Sequence, residues 1–218
     1  MIEHKTISLA NQVVEHLEND ILGGKYQRGQ ILTEMKLCAE LGVSRTPVRE
    51  ALHRLAQEHL IEESAKGAVV LGISPKDLDD IFAIRINLEG VAAQLAAKAI
   101  TDEQLKELRE ALELQEFYLK KQDADHIRAM DSQFHKLICR FSGSMTFYDV
   151  LVPLHKKTQK YRKASVEHCD RAAVSVEEHW RVYNALAAHD KKEAKKQMEI
   201  HAKNAYEHML KNISTQGE

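Results

Sequence analysis

This chain is poor in the residues that make turns, staples and membrane spans. Its 218 residues include only 9 glycines, 3 prolines and 6% aromatic side chains. That scarcity of turn formers argues for long helices. The three cysteines, Cys38, Cys139 and Cys169, are odd in number, far apart and without a C-x-x-C spacing. A disulfide framework or zinc finger is therefore unsupported, and a reducing compartment fits best. No apolar run approaches the roughly 18 residues needed to span a bilayer. The start, "MIEHKTISLA", lacks the apolar core of a signal peptide. The expectation is a cytoplasmic protein without a membrane partner. The net charge of −2 gives no global sign of a nucleic-acid partner. What is present is 44% hydrophobic and 29% charged, which suits a packed soluble fold of one large or two small domains.

Histidine is abundant instead. Eight of the 12 lie after residue 125: His126, His135, His155, His168, His179, His189, His201 and His208. Most read as surface or locally hydrogen-bonded residues, and the useful question is which face inward. "DSQFHKL" makes that question concrete. Asp131 and His135 stand one helical turn apart beside an apolar stripe of Ile127, Met130, Phe134, Ile138 and Phe141. Buried polar groups need a partner, which a protein neighbour, a water, a metal or a ligand can supply.

The chain divides at "LGISPKD". Residues 1–73 mix short helices with a short β segment. Ser8–Leu22 is amphipathic, with Leu9, Val13, Leu17 and Ile21 on one side. Thr33 can cap a helix over 34–41. "GVS" makes a tight turn, and Ser44 can cap a helix from Arg45 to about Gln57 with Pro47 in its first turn. "LIEESAKGAVVLGI" then reads as two strands around a Lys66-Gly67 tip. Residues 74–218 show only helical patterns, with six helices predicted at about 75–99, 102–121, 124–141, 145–166, 175–189 and 191–212. Thr101…Gln104, Ser175…Glu178 and Asp190…Glu193 carry capping signatures. The expected fold is mainly α: an N-terminal winged helix-turn-helix domain followed by an all-α six-helix bundle.

Residues 1–75 carry 8 basic against 10 acidic side chains, yet residues 25–54 carry six basic (Lys25, Arg28, Lys36, Arg45, Arg49, Arg54) against three acidic. Positive charge thus gathers around the candidate recognition helix. Arg45, Thr46 and Arg49 occupy its first turns, where such helices meet base edges. An amphipathic helix pair with exposed arginines is the plainer alternative. "LCAELGVSRTPVREALHRLAQEHLI", continuing through "KGAVV", closely resembles the DNA-binding segment of GntR-family transcriptional regulators. The resemblance implies a homodimer on a palindromic double-stranded operator. It puts Arg45, Thr46, Arg49 and the Lys66-Gly67 wing at the DNA, with Arg28, Lys36 and Ser44 beside them. Met35 stands where the family often carries a basic residue, and His59 where it usually carries glycine.

Residues 76–212 resemble the FCD ligand-binding domain of one GntR subfamily (FadR/VanR-like), through "RINLEG", "DSQFHKL", "VEEHWRVYNAL" and "MEIHAKNA". Ser142-Gly143-Ser144 replaces the family's frequent S-G-N. The resemblance implies a divalent transition metal held by Asp131, His135, His179 and His201. Three imidazoles and a carboxylate suit Zn²⁺, Ni²⁺, Fe²⁺ or Mn²⁺ without choosing among them. By spacing alone, Asp131 and His135 could equally form a helix-surface hydrogen bond. Arg85 is either an internal ion pair with Glu89 or a fork for the carboxylate of a small organic-acid effector, with Asn204 nearby. The implied function is a regulator, more readily a repressor than an activator, whose operator affinity follows that effector. A metal sensor without an organic effector is the alternative. A metal-dependent enzyme is the remoter one, since no further general base pairs with the site.

Overall fold

The structure, a computed structural model, describes residues 8–158 and 169–216. His168, and the end of the helix predicted to reach 166, fall outside the described residues. Two compact units meet in sequence at Pro75/Lys76. The first contains α1 (Leu9–Leu22), β1 (Ile31–Leu32), α2 (Glu34–Leu41), α3 (Arg45–Gln57), β2 (Ile61–Ser64) and β3 (Gly67–Val70). The second contains, among the described residues, six helices: α4 (Pro75–Ala99), α5 (Asp102–Lys121), α6 (Ala124–Phe141), α7 (Met145–Lys157), α8 (Cys169–Ala187) and α9 (Lys191–Gln216).

In the first unit, α1 lays Val13, Leu17 and Ile21 against Val48, Leu52 and Leu55 of α3. Leu9, expected on that face, is instead half exposed at the helix start. Thr33 Oγ1 accepts from Lys36 N to open α2, and Gly42 closes it in the left-handed region. Ser44 precedes α3 without a side-chain cap bond. The sheet order is β1-β3-β2, all antiparallel, so β1 completes the wing from the far side. Ser64 pairs with Gly67, which puts Ala65 and Lys66 at the tip. Gly67 therefore opens β3 rather than sharing the tip with Lys66. A Cβ on Gly67, at φ +129°, would stand 2.5 Å from the Leu32 carbonyl oxygen. Close approach of β1 requires glycine there, whatever else the residue does.

His59 follows α3 at φ +58°. Leu60 N donates back to Leu55 O at 3.0 Å, closing the helix in the manner for which glycine is preferred. Left-handed backbone costs a non-glycine residue about 1–2 kcal/mol, and glycine returns about 0.5–1 kcal/mol of that as chain entropy. His59 is exposed. His59→Gly should therefore stabilise the protein by about 0.5–1 kcal/mol, read as a raised urea midpoint with unchanged slope.

The second unit packs on small residues. Ala93, Ala96 and Ala97 of α4 let α5, α6, α8 and α9 close around them with Leu108, Leu112, Phe134, Ile138, Val182, Leu186 and Met198. Thr101 and Gln104 form the full capping box of α5. Ser144 accepts from Phe147 N to start α7, and Asp190 accepts from Lys192 N and Glu193 N to start α9. Ser175, in contrast, lies inside α8, which already runs from Cys169. A capping pattern is a local signal, and it does not stop a helix whose preceding residues continue the turn. Tyr148 packs on the small cluster of Ala92, Cys139 and Leu151, and Tyr118 stacks on His126 at 4.5 Å.

Candidate metal centre and nucleic-acid face

Three helices bring three of the predicted ligands into one point of the core. His135 comes from α6, His179 from α8 and His201 from α9, and all three are buried. One ring nitrogen from each lies within 4.8 Å of the other two. His201 Nε2 stands 3.2 Å from His135 Nε2 and 3.4 Å from His179 Nε2. Four ligands at about 2.0–2.1 Å around a tetrahedral ion are separated by about 3.4 Å along each edge. Asp131 Oδ1, on the same face of α6, lies 3.7 Å from His179 Nε2.

The outer nitrogens decide which way these rings face. His201 Nδ1 meets Glu178 Oε2 at 2.8 Å, His179 Nδ1 meets Gln115 Oε1 at 3.0 Å, and His135 Nδ1 lies 3.3 Å from Glu89 Oε2. Each outer nitrogen faces an oxygen that accepts, so each carries the proton and leaves its Nε2 lone pair inward. Burial lowers the pKa of His179 well below its ordinary value and lowers that of His135. The inward Nε2 atoms of the three rings then converge with a nearby carboxylate. That donor set fits a divalent transition metal, because without a cation the converging lone pairs only repel.

Glu178 and Glu89 anchor this shell. Burial pushes the Glu178 carboxyl up, but hydrogen bonds from His201, Arg171 and Asn204 outweigh it and hold its pKa at about 2. Asn204 Nδ2 gives its bond to Glu178 Oε1 at 2.7 Å. Glu89 binds Arg85 through Nε at 2.6 Å and lies 3.2 Å from His155 Nε2. Arg85 also donates Nη1 to Thr158 Oγ1 at 3.2 Å and is 1% exposed. Both residues expected beside an effector, Arg85 and Asn204, thus hold the carboxylates behind the histidines.

The candidate DNA residues all belong to the first unit. Ser44, Arg45, Thr46 and Arg49 are exposed along the start of α3, with Lys36 on α2 and Lys66 at the wing tip. Arg45, Thr46, Arg49, Glu50 and His53 line a groove along the helix. Arg28 is exposed too, but its Nη1 donates to Leu71 O at 2.7 Å and ties the loop before β1 to the end of β3. Arg49 is engaged by Glu34, whose carboxyl its guanidinium holds below the ordinary range.

Residues 9–70 match the model of the gntR family of bacterial regulatory proteins, and residues 80–204 match the FCD domain. The chain belongs to the gntR family, in its FCD-domain branch. The gluconate operon transcriptional repressor of Bacillus licheniformis is 37% identical over 129 residues, 59% of this chain and 53% of that protein. The chain thus matches about half the length of that relative. The transcriptional repressor RspR of Escherichia coli is 27% identical over 180 residues, 82% of this chain and 79% of that one. The solved structure of E. coli McbR/YncC superposes with a TM-score of 0.77 at 27% identity, covering 96% of this chain and 97% of that one. Both of these curated gntR-family relatives are named as transcriptional repressors. Among the described residues, no helix is long and apolar enough to cross a membrane.

Several residues around this gntR-family site escape the sequence reading. His155, taken there as a surface or local residue, is buried one turn beyond buried Leu151, with its ring 4.5 Å from that of His135. Gln115 continues the buried stripe of Leu108, Ala111 and Leu112, so helical spacing could have flagged both. Glu178 gives no such sign. It adjoins His179 in sequence but serves His201, across a helix pair.

Proposed function

We propose that this chain is a cytoplasmic homodimeric repressor whose operator affinity is set by a small organic acid bound at a transition metal in the helical unit. The observation that carries the metal reading is the convergence of three buried imidazoles, with His201 Nε2 3.2 Å from His135 Nε2 and 3.4 Å from His179 Nε2, near a tetrahedral edge, and with every Nδ1 facing an acceptor. Asp131, His135, His179 and His201 would hold the ion. An ion that takes five or six ligands would offer the positions beyond these four to an effector carboxylate. Arg85 and Asn204 reach such an effector by exchanging Glu89 and Glu178 for it. The gluconate repressor among the relatives is in keeping with an acidic signal. Arg45, Thr46 and Arg49 face base edges. Lys36, Ser44, Lys66 and the Gly67 backbone lie toward phosphates, with Arg28 at the margin through the loop it fixes. An effector that prefers one arrangement of the two helical units shifts the spacing of the two DNA-reading heads on a palindromic operator.

A second reading, a sensor of the metal alone, rests on the same lone pairs. Operator binding by chelated, metal-loaded, and metal-plus-acid protein separates the two. Under the proposal, affinity changes about 5–150-fold only when both metal and acid are present. The full change with metal alone selects the second reading, and no change under any condition rejects both. A thermal-shift screen of small organic acids on metal-loaded protein identifies the effector, because binding to the native state raises apparent stability.

A further inference from the structure

Glu34 opens α2 and Arg49 lies in the second turn of α3, yet their side chains meet fork to fork. Arg49 Nε donates to Glu34 Oε1 at 3.0 Å and Nη2 donates to Oε2 at 3.1 Å. The pair stands at the mouth of a groove between α3 and the wing, whose far wall carries Glu63 and Gly67. The Arg49 side chain is 71% exposed. Most exposed ion pairs do little, and the bidentate arginine–carboxylate pair is the exception because it fixes a plane. Here one edge of the guanidinium is taken and the opposite edge, Nη1 with the second Nη2 hydrogen, faces away from Glu34. Guanine presents O6 and N7 as adjacent acceptors in the major groove, a match for that edge.

We propose that Glu34 is a specificity-determining residue that buttresses Arg49 as a reader of guanine. The proposal rests on the DNA-reading role of α3. The physical logic has two parts. A free arginine loses rotamer freedom when it docks on a base, and Glu34 removes that freedom beforehand. A free arginine also donates to any phosphate, and the Glu34 carboxylate repels the duplex backbone while leaving the base-facing edge available. The sequence carries both residues but not their meeting, since fifteen positions and a tight turn separate them.

The test is selection from duplexes randomised over their central positions, using the full-length protein and the Glu34→Ala, Glu34→Gln and Arg49→Ala variants. The wild type should enrich a guanine in each half-site. Arg49→Ala should abolish that preference at that position. Glu34→Ala should reduce it about tenfold there and leave other positions alone. It should also tighten binding to random-sequence duplex and steepen its salt dependence. Glu34→Gln, which keeps an acceptor but no charge, should fall between. Unchanged melting temperatures show that folding is not the cause. Base preference unaltered in Glu34→Ala overturns the proposal, as does Arg49→Ala weakening every sequence equally. If the wild type enriches no sequence at all, DNA reading by α3 itself fails and this proposal falls with it.

Discussion

Replacing His179 with alanine should strip the transition metal from the purified protein. The wild type is expected to retain about one ion per chain after dialysis, and the variant at least about tenfold less. His179 is fully buried, its Nε2 lies 3.4 Å from that of His201, and Gln115 holds its ring. Three ligands would remain, but the tetrahedral arrangement would not. The ring also stacks on Phe134 at 4.2 Å, so its loss opens a cavity and lowers stability as well. His179→Gln, which keeps more of that volume, and His135→Ala on a different helix guard against misfolding as the explanation. Elemental analysis reads the metal directly, and circular dichroism checks the helices. Unchanged metal content in both His179→Ala and His135→Ala would sink the ligand assignment.

Arg85→Ala should cost about 3–5 kcal/mol of folding stability, measured by urea unfolding of metal-free protein. Arg85 and Glu89 are 1% and 2% exposed and meet at 2.6 Å. Burial pushes the Glu89 carboxyl up, but Arg85, His155 and His135 outweigh it and hold its pKa well below the ordinary range. Without Arg85 that carboxylate is buried beside two histidines that burial keeps neutral. The double change Arg85→Met with Glu89→Leu should recover most of the loss, because neither charge is then stranded. The experiment also bears on effector binding. A guanidinium whose only task is to await an effector would lose the effector response and leave stability within about 0.5 kcal/mol of the wild type. That result would free Arg85 from its structural role.

The halves of this protein are legible to different depths. Helix periodicity, the Thr101 box and the Thr33 cap are local, so "GVSRTPVREAL" and the long amphipathic runs announce their elements without help. Asp131 and His135 share a helix face by spacing alone. His179 and His201 enter through resemblance, because three separate helices have no common frame in one dimension. Gly67 and His59 show the same divide at the backbone. The resemblance marks both positions, but only the approach of β1 and the closing turn of α3 say what the backbone demands there.

Local pattern in the sequence set the periodicity of the six helices described in the second unit and the placing of Asp131 and His135 on one helix face. Tertiary structure decided which way the candidate site residues face. It aimed three imidazoles inward by facing each outer nitrogen with Gln115, Glu178 or Glu89, and it committed Arg85 to Glu89 and Arg49 to Glu34. The reason is physical. Backbone periodicity acts over one or two turns, whereas a tautomer, an ion pair or a coordination edge is set by atoms a few ångströms apart on different helices.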